Sequence, residues 1–403
     1  MPKLNDYIPI VGRRAVEDLE FLASKLKGKK VQHINSTSVG GGVAEILNRM
    51  VPLLNELGVE SSWNVVKGGE KFYQVTKKFH NALHGRAEEF SKEDFDLFIE
   101  TGEQNASEMK LDSDIMFIHD PQPVTLVNRK TDNKWIWRCH VDVSNPDRKV
   151  WEFLEQYIKK YDASVFSAPG FSQVLPIRQF QIPPSIDPLS DKNKELPCEQ
   201  VNSIMEKLGV PQDKPIILQI SRFDRLKDPV GVLEVYKLVR KYIDCRLVLA
   251  GGGASDDPEG LAVLAEVREK AGNDENVHIL LLPQDDIIVN ALQRAATVIL
   301  QKSLKEGFGL TVSEALWKGK PVVASYVGGI PMQITNKYSG MLSYSVEGTA
   351  FAVKQILNHP KYAAKLGENG KEHVRNNFLL TRHLKEYLLL FISLYQDKDI
   401  VYL

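Results

Sequence analysis

Short apolar runs, each leading through a glycine loop into a helix, constrain this chain more than anything else in it. The clearest is Ala295–Leu300 (AATVIL), followed by Glu306–Gly319 (EGFGLTVSEALWKG). An unbroken apolar run reads as a parallel strand buried on both faces. The loop after it carries Gly307 and Gly309. A helix is predicted to start near Thr311 and to stop at Gly319, where glycine can take the left-handed cap conformation. This order aims free backbone N–H groups and the positive end of a helix dipole at one point, where an anion such as a phosphate is held. Two carboxylates frame that point, Glu306 in the loop and Glu314 in the helix. A carboxylate repels phosphate but accepts hydrogen bonds from hydroxyls, which sugars and riboses supply. The plainer reading makes both residues solvated surface groups.

The same alternation runs twice along the 403 residues. In the N-terminal half, Lys30–Asn35 is predicted as a strand that enters Ser36–Gly42 (STSVGGG) and then a helix, Val43–Leu57. Further strands are expected at Gly58–Val66, Asp114–His119, Lys134–Val141 and Ala163–Ser167, with helices at Lys71–Leu83, Ser91–Lys110 and Trp151–Tyr161. Ile182–Pro188 (IPPSIDP) breaks the pattern, because two adjacent prolines prevent helix, as at a domain hinge. In the second half, strands are expected at Pro215–Ile220, Arg246–Ala250, His278–Leu282 and Pro321–Ser325, interleaved with helices. The last helix, Thr381–Tyr395, is apolar on most sides (YLLLFISLY) and must be buried.

A chain of this length is too long for one ordinary core. The predicted fold class is therefore α/β, with two Rossmann-like doubly wound parallel-sheet domains whose carboxyl-end loops face across a cleft. The expected division is 1–184, with the segment 380–403 packing back on it, and 185–379.

Bulk properties exclude several classes. Apolar residues make up 43% and charged residues 26%, as in globular proteins, and a net charge of -1 gives no electrostatic case for a nucleic-acid or membrane partner. Cys139, Cys198 and Cys245 have no metal-ligand or CxxC spacing, which fits reduced thiols in a cytoplasmic protein. The N-terminus has no basic-then-apolar signal region. The most apolar stretch, Leu388–Leu394, is far shorter than the roughly 20 residues that span a bilayer. A symmetric dimer is the default oligomer.

Other motifs carry chemistry beside a plainer alternative. Gly40, Gly41 and Gly42 follow a strand and open a helix, so backbone can approach a phosphate with no Cβ in the way. A plain tight turn explains them as well. Arg222 and Lys227 follow a strand end and can clamp a diphosphate, one by a forked contact and one as a point charge. The alternative is a solvated basic loop. His140 at a strand end, with Asp142 two residues on, can hydrogen-bond a sugar hydroxyl or be structural, and the pair His119–Asp120 is equally ambiguous. No GxSxG, HExxH, P-loop or metal cluster is present.

Taken together these residues resemble the retaining glycosyltransferases of GT-B fold, family 4. Glu306-Gly-Phe-Gly followed by Glu314 resembles that family's E-x7-E motif, and Arg222 with Lys227 its basic pair. Gly40–Gly42, His140 and Val327-Gly328-Gly329-Ile330 fall where its donor loops lie. Within the family, HINSTSVGGGVAEIL, HNALHG, HDPQP, WRCHVD and IPPSIDPLSDKN resemble the trehalose glycosyltransferring synthases. Many family members continue GGIPE; here Pro331 is followed by Met332 and Gln333, which removes a carboxylate but resembles the trehalose branch.

The resemblance implies a retaining glucosyltransferase that makes trehalose from a nucleoside-diphosphate glucose (ADP-, UDP- or GDP-glucose) and free glucose, reversibly. Arg222, Lys227, Glu306 and His140 would be the catalytic set. Gly40, Gly41, Gly42, Gly307, Phe308, Gly309, Leu310, Thr311 and Glu314 would bind the donor, and Asp120 and Gln122 the acceptor. The resemblance implies no metal and no further cofactor, and small sugars rather than macromolecules as partners. The alternatives are a trehalose phosphorylase, a related family 4 α-glucosyltransferase with another sugar or sugar-phosphate acceptor, a non-catalytic sugar or nucleotide sensor, and a sugar-nucleotide epimerase.

Overall fold

In the computed structural model, which describes residues 2–38, 41–252 and 258–396, the chain forms two compact units. The first runs up to Ser185 and resumes at Leu380; the second is Ile186–Leu379.

The first unit is built on six parallel strands: β1 (Lys30–Asn35), β2 (Glu60–Val65), β3 (Ile115–His119), β4 (Lys134–Cys139), β5 (Ala163–Phe166) and β6 (Arg178–Gln181). Their order is β2-β1-β3-β4-β5-β6. The second unit has β7 (Ile216–Ile220), β8 (Arg246–Gly252), β9 (Val277–Leu282), β10 (Val298–Gln301), β11 (Val322–Ser325) and β12 (Met341–Ser343), in the order β12-β11-β10-β7-β8-β9. All are parallel and doubly wound, as the apolar runs require: β3, β7 and β10 are buried along their whole length. Two strands carry no such signal. β6 (RQFQ) and β12 (MLS) are sheet edges with partly exposed residues, so neither needs an apolar run.

The strand order decides where ligands can sit. In the first unit the chain steps from β1 out to β2 and then back across to β3. In the second it runs β7, β8, β9 and then returns to β10 on the other side of β7. Loops at the carboxyl ends of the strands on either side of such a reversal diverge and leave a crevice. The loops after β1 and β3, and those after β7 and β10, are therefore the candidates.

Five helices matter below: α1 (Gly41–Glu56), α2 (Pro229–Arg240), α3 (Asp286–Ala295), α4 (Leu310–Trp317) and α5 (Leu380–Ser393). The core of the second unit packs Val232, Tyr236 and Val353 on Ile217, Leu247 and Leu300. In the first unit a nest of phenylalanines includes Phe79 and Phe98 at a centroid distance of 4.6 Å, with Phe153 beside both.

The apolar C-terminal helix α5 belongs to the first unit. Tyr387 lies 4.8 Å from Phe117 of β3. Arg382 donates to the carbonyls of Pro183 (3.0 Å) and Pro184 (2.9 Å), and Lys385 pairs with Asp18 at 2.7 Å. The part of the expected 380–403 segment from residue 397 onward lies outside the described residues. Leu388 is fully buried. Leu388→Ala should cost about 2–5 kcal/mol in denaturant unfolding; a loss under about 0.5 kcal/mol, the range of inert surface changes, would mean that α5 is not part of this core.

Candidate functional site

In the second unit, the loops after β7 and β10 are stitched together at the strand reversal. Lys227 ends a short 3-10 turn, Arg225–Lys227, started by Asp224, whose carboxylate accepts the Leu226 N–H at 2.6 Å. The Lys227 ammonium donates to Glu306 Oε2 at 2.6 Å. That same oxygen accepts from Gln301 Nε2 (3.1 Å) and Ser303 Oγ (3.0 Å). Alongside runs a second lysine–carboxylate pair, Lys302 with Asp228. Gln219 on β7 bridges both loops: its Oε1 accepts the Lys302 N–H at 3.0 Å and its Nε2 donates to the Lys227 carbonyl at 2.9 Å. The Leu304 N–H closes the stitch on the Leu226 carbonyl at 2.8 Å.

Asp228 shows how tightly the geometry is set. It has a left-handed backbone (φ 46°), unusual for a residue with a Cβ, and it caps α2 by accepting the Gly231 N–H at 3.0 Å. Arg222 is different. Its side chain is two-thirds exposed and pairs with Asp224 at 3.1 Å.

The glycine loop follows directly. Gly309 is left-handed (φ 80°) and is the N-cap of α4, whose first-turn N–H groups, around Leu310 and Thr311, have no intrahelical acceptor. Gly307 and Phe308 are held from behind by the loop after β11. The Gly329 N–H donates to the Gly307 carbonyl at 3.0 Å. Gly328 has φ 55°, and a Cβ there would stand 1.7 Å from the Glu306 carbonyl oxygen. Gln333 is fully buried; its Nε2 donates to the Phe308 carbonyl (2.5 Å) and its Oε1 accepts from Ser313 Oγ (2.5 Å). The Phe308 ring turns inward against Phe378, so this residue anchors the loop rather than lining it.

Glu314, one turn into α4, is buried. Gln293 Nε2 donates to its Oε2 at 3.3 Å, and the Lys192 ammonium stands 4.0 Å from its Oε1. Lys318, one turn further on, is buried and donates to Asn193 Oδ1 at 3.0 Å and to the Glu314 carbonyl at 3.2 Å. Burial pushes its ammonium down to about 7, with the Glu314 charge opposing that fall. The segment 191–194 is itself pinned by Asn290 of α3, whose amide donates to the Asp191 and Lys194 carbonyls, each at 2.8 Å.

In the first unit, α1 opens at Gly41 (φ 79°) and Gly42, after β1; Gly40 lies outside the described residues. Asp120, after β3, is left-handed (φ 65°), and its Oδ1 accepts the His140 N–H at 2.8 Å. Its own N–H and carbonyl are tied to the Arg138 carbonyl (2.7 Å) and Trp137 Nε1 (3.0 Å). Burial pushes the Asp120 carboxyl up to about 6. Gln122 Oε1 is buried with no partner among the described residues. His140 is already engaged: its Nε2 faces His119 Nδ1 at 3.1 Å and its Nδ1 faces Arg138 Nε at 3.5 Å. Both ring nitrogens thus have partners within the protein. Among the described residues, no group of three or more His, Cys, Asp or Glu is placed to hold a metal ion, and no helix is long and apolar enough to cross a membrane.

The structure thus gathers Lys227, Glu306, Gly307, Gly309, Leu310, Thr311 and Glu314 in the second unit, with Arg222 on the same basic loop. It places Gly41, Gly42, Asp120, Gln122 and His140 at adjacent strand ends in the first. Sequence reasoning missed Gln219, Asp228, Lys302, Gln333 and Lys192. Only Asp228 left a local signal, an aspartate directly before the Pro229 that opens a helix.

Comparisons with known proteins give the family. Residues 33–173 match the family model described as trehalose synthase, N-terminal domain, and residues 200–373 match glycosyl transferases group 1. The chain is 43% identical over 400 residues to a trehalose synthase of Pyrococcus horikoshii, covering 97% of this chain and 96% of that one. It is 44% identical over 404 residues to a trehalose synthase of Rubrobacter xylanophilus, covering 97% of each. Among solved structures, a sucrose-phosphate synthase from Thermosynechococcus elongatus superposes with a TM-score of 0.71 at 19% identity, over 91% of this chain and 99% of that one, a likeness of GT-B fold.

Two substitutions test the loop geometry. Gly328→Ala forces a strained backbone and a clash with the Glu306 carbonyl, and should lower unfolding stability by about 1–3 kcal/mol or more. Gln333→Leu strands the Phe308 carbonyl and should cost about 1–3 kcal/mol, with faster amide exchange confined to residues 306–313. Exchange unchanged in that stretch would show that Gln333 does not hold the loop.

Proposed function

The chain belongs to the trehalose synthase family of GT-B glycosyltransferases, and we propose that it transfers a glucosyl group from a nucleoside-diphosphate glucose to free glucose, yielding α,α-1,1-linked trehalose with the donor's configuration retained. The observation that carries this reading is the stitched pair of loops at β7 and β10. It joins Lys227 to Glu306 three residues before the glycine N-cap of α4, with Arg222 on the same loop as Lys227, a set suited to a diphosphate and sugar hydroxyls.

The chemistry follows from those groups. The C1–O bond to the diphosphate breaks, and negative charge grows on the leaving oxygen. Arg222, Lys227 and the N–H groups at Leu310 and Thr311 stabilise that charge, the kind of electrostatic contribution that dominates many active sites. Glu306 accepts the donor sugar's hydroxyls, and Glu314 the ribose hydroxyls. Asp120 and Gln122 hold the acceptor glucose, whose hydroxyl attacks C1 on the face the diphosphate leaves; its proton passes to the departing phosphate. No carboxylate is required as a nucleophile, so the two-carboxylate scheme of retaining hydrolases does not transfer. Because two cationic side chains do the neutralising, the reaction is proposed to need no metal.

In the ligand-free arrangement Lys227 spends its charge on Glu306. Donor binding must exchange that contact for two others, Lys227 to diphosphate and Glu306 to sugar. Lys227→Ala should therefore lower kcat by about 10²–10³-fold.

The direct test incubates the protein with ADP-, UDP- or GDP-glucose and free glucose, with a chelator and without phosphate, read by anomeric proton NMR. The expected product is a non-reducing disaccharide with both linkages α. Glucose 1-phosphate formed from trehalose and phosphate, with no transfer from any nucleotide sugar, would establish phosphorolysis instead. The acceptor side adds a pH signature. The Asp120 carboxyl sits at about 6, so below that pH it protonates and ceases to be a charged acceptor of glucose hydroxyls. The KM for glucose should rise as pH falls through 6, and Asp120→Asn should raise it while flattening that dependence. A wild-type glucose KM constant from pH 5 to 8 would remove Asp120 from the acceptor site.

A further inference from the structure

A row of three imidazoles crosses the first unit's sheet: His33 on β1, His119 on β3 and His140 just beyond β4. His33 Nδ1 lies 3.1 Å from His119 Nε2, and His119 Nδ1 lies 3.1 Å from His140 Nε2. Consecutive rings are stacked at 5.4 Å, tilted by 27° and 23°. His33 and His119 are buried. Burial holds all three rings well below the usual histidine range, His33 down to about 3, so the row is neutral.

A neutral imidazole has one N–H and one lone pair. Each contact in the row needs one nitrogen of each kind, so the three tautomers are locked together and only two directions exist. Arg138 selects between them. Its Nε–H faces His140 Nδ1 at 3.5 Å, and a guanidinium is only ever a donor. His140 Nδ1 must accept, so its Nε2–H donates to His119 Nδ1, and His119 Nε2–H donates to His33 Nδ1. The row then ends on a His33 Nε2–H. That atom is buried and has no partner among the described residues, so no donor there forces the row the other way. Arg138 is itself fixed. It is fully buried, donates to the Ile182 carbonyl at 2.9 Å and lies 5.4 Å over the Tyr387 ring.

We infer that Arg138, His119 and His140 are positioning residues: they form a one-way hydrogen-bonded row that sets the orientation of the Asp120 carboxylate through the His140 backbone N–H. This rests on the acceptor-site reading of Asp120. The link is short. The His140 N–H is 2.8 Å from Asp120 Oδ1, and Asp120 is held in a left-handed backbone by its bonds to Arg138 and Trp137. A ring whose two nitrogens are both committed cannot rotate, and the peptide that carries the N–H is held with it.

The tautomers are measured directly on the whole protein with ¹⁵N-labelled histidine by long-range proton–nitrogen correlation. The three residues are identified by the signals lost in single His→Gln variants. The expected result is a protonated Nε2 and a bare Nδ1 on His33, His119 and His140. An Nδ1–H on His140, or a doubly protonated ring, overturns the row. This readout uses no substrate, so it stands or falls separately from the transferase reading.

The functional arm compares two substitutions at His119. Glutamine keeps the direction, because its Oε1 can accept from His140 and its amide can donate to His33. Leucine cuts it. His119→Leu should raise the KM for glucose about tenfold, the worth of one oriented hydrogen bond, with the donor KM unchanged. His119→Gln should stay near wild type. Equal effects of the two would show that His119 acts only through packing. If His119→Leu fails to fold, the tautomers of the unaltered protein decide the question.

Discussion

Everything in the second unit that bears on chemistry depends on one contact, the 2.6 Å pairing of the Lys227 ammonium with Glu306. It joins two loops 79 residues apart in sequence at the point where the strand order reverses. Both side chains are largely buried, and a buried ion pair is only tolerable when other hydrogen bonds satisfy the charges. The structure supplies them. Gln301 and Ser303 complete Glu306, Lys302 and Asp228 form a parallel pair, and Gln219 ties both backbones. The glycines behind the loop are there for space: Gly328 lies where a side chain would strike the Glu306 carbonyl. The result is a preorganised charged site that a ligand can enter only by taking over these contacts.

The first unit solves a different problem with different chemistry. Its strand ends carry a neutral buried network of imidazoles, anchored by one cation, Arg138. Fixed hydrogen-bond direction does there what charge pairing does in the second unit. For the acceptor role proposed above, whose hydroxyls would be uncharged, a set of oriented dipoles with one carboxylate at the end suits better than a cluster of ions. α5 packs Tyr387 and Phe391 against Phe117, whose ring stacks on His119.

Much of the fold was legible because parallel strands must be apolar along their length. Ile216–Ile220 and Val298–Gln301 announce themselves, whereas the edge strands Arg178–Gln181 and Met341–Ser343 do not, having one side without a neighbour. The glycine loop around Gly307 and Gly309 was legible because glycine takes the left-handed conformation at Gly309 without strain. What could not be read was who holds whom. Gln333 was noticed only as part of a sequence pattern after Gly329, although it grips the Phe308 carbonyl 25 residues away. Nor could the contacts of the His140 ring with His119 and Arg138 be read, since nothing local says that β1, β3 and β4 bring three histidines into line.

A crystal structure of the protein with an intact nucleoside-diphosphate glucose tests the central claim most directly. The account predicts the diphosphate at the start of α4, against Leu310, Thr311, Arg222 and Lys227, with the Lys227–Glu306 contact broken and Glu306 turned to the sugar. A nucleotide bound away from the loops after β7 and β10, or bound there with Lys227 still on Glu306, would contradict it.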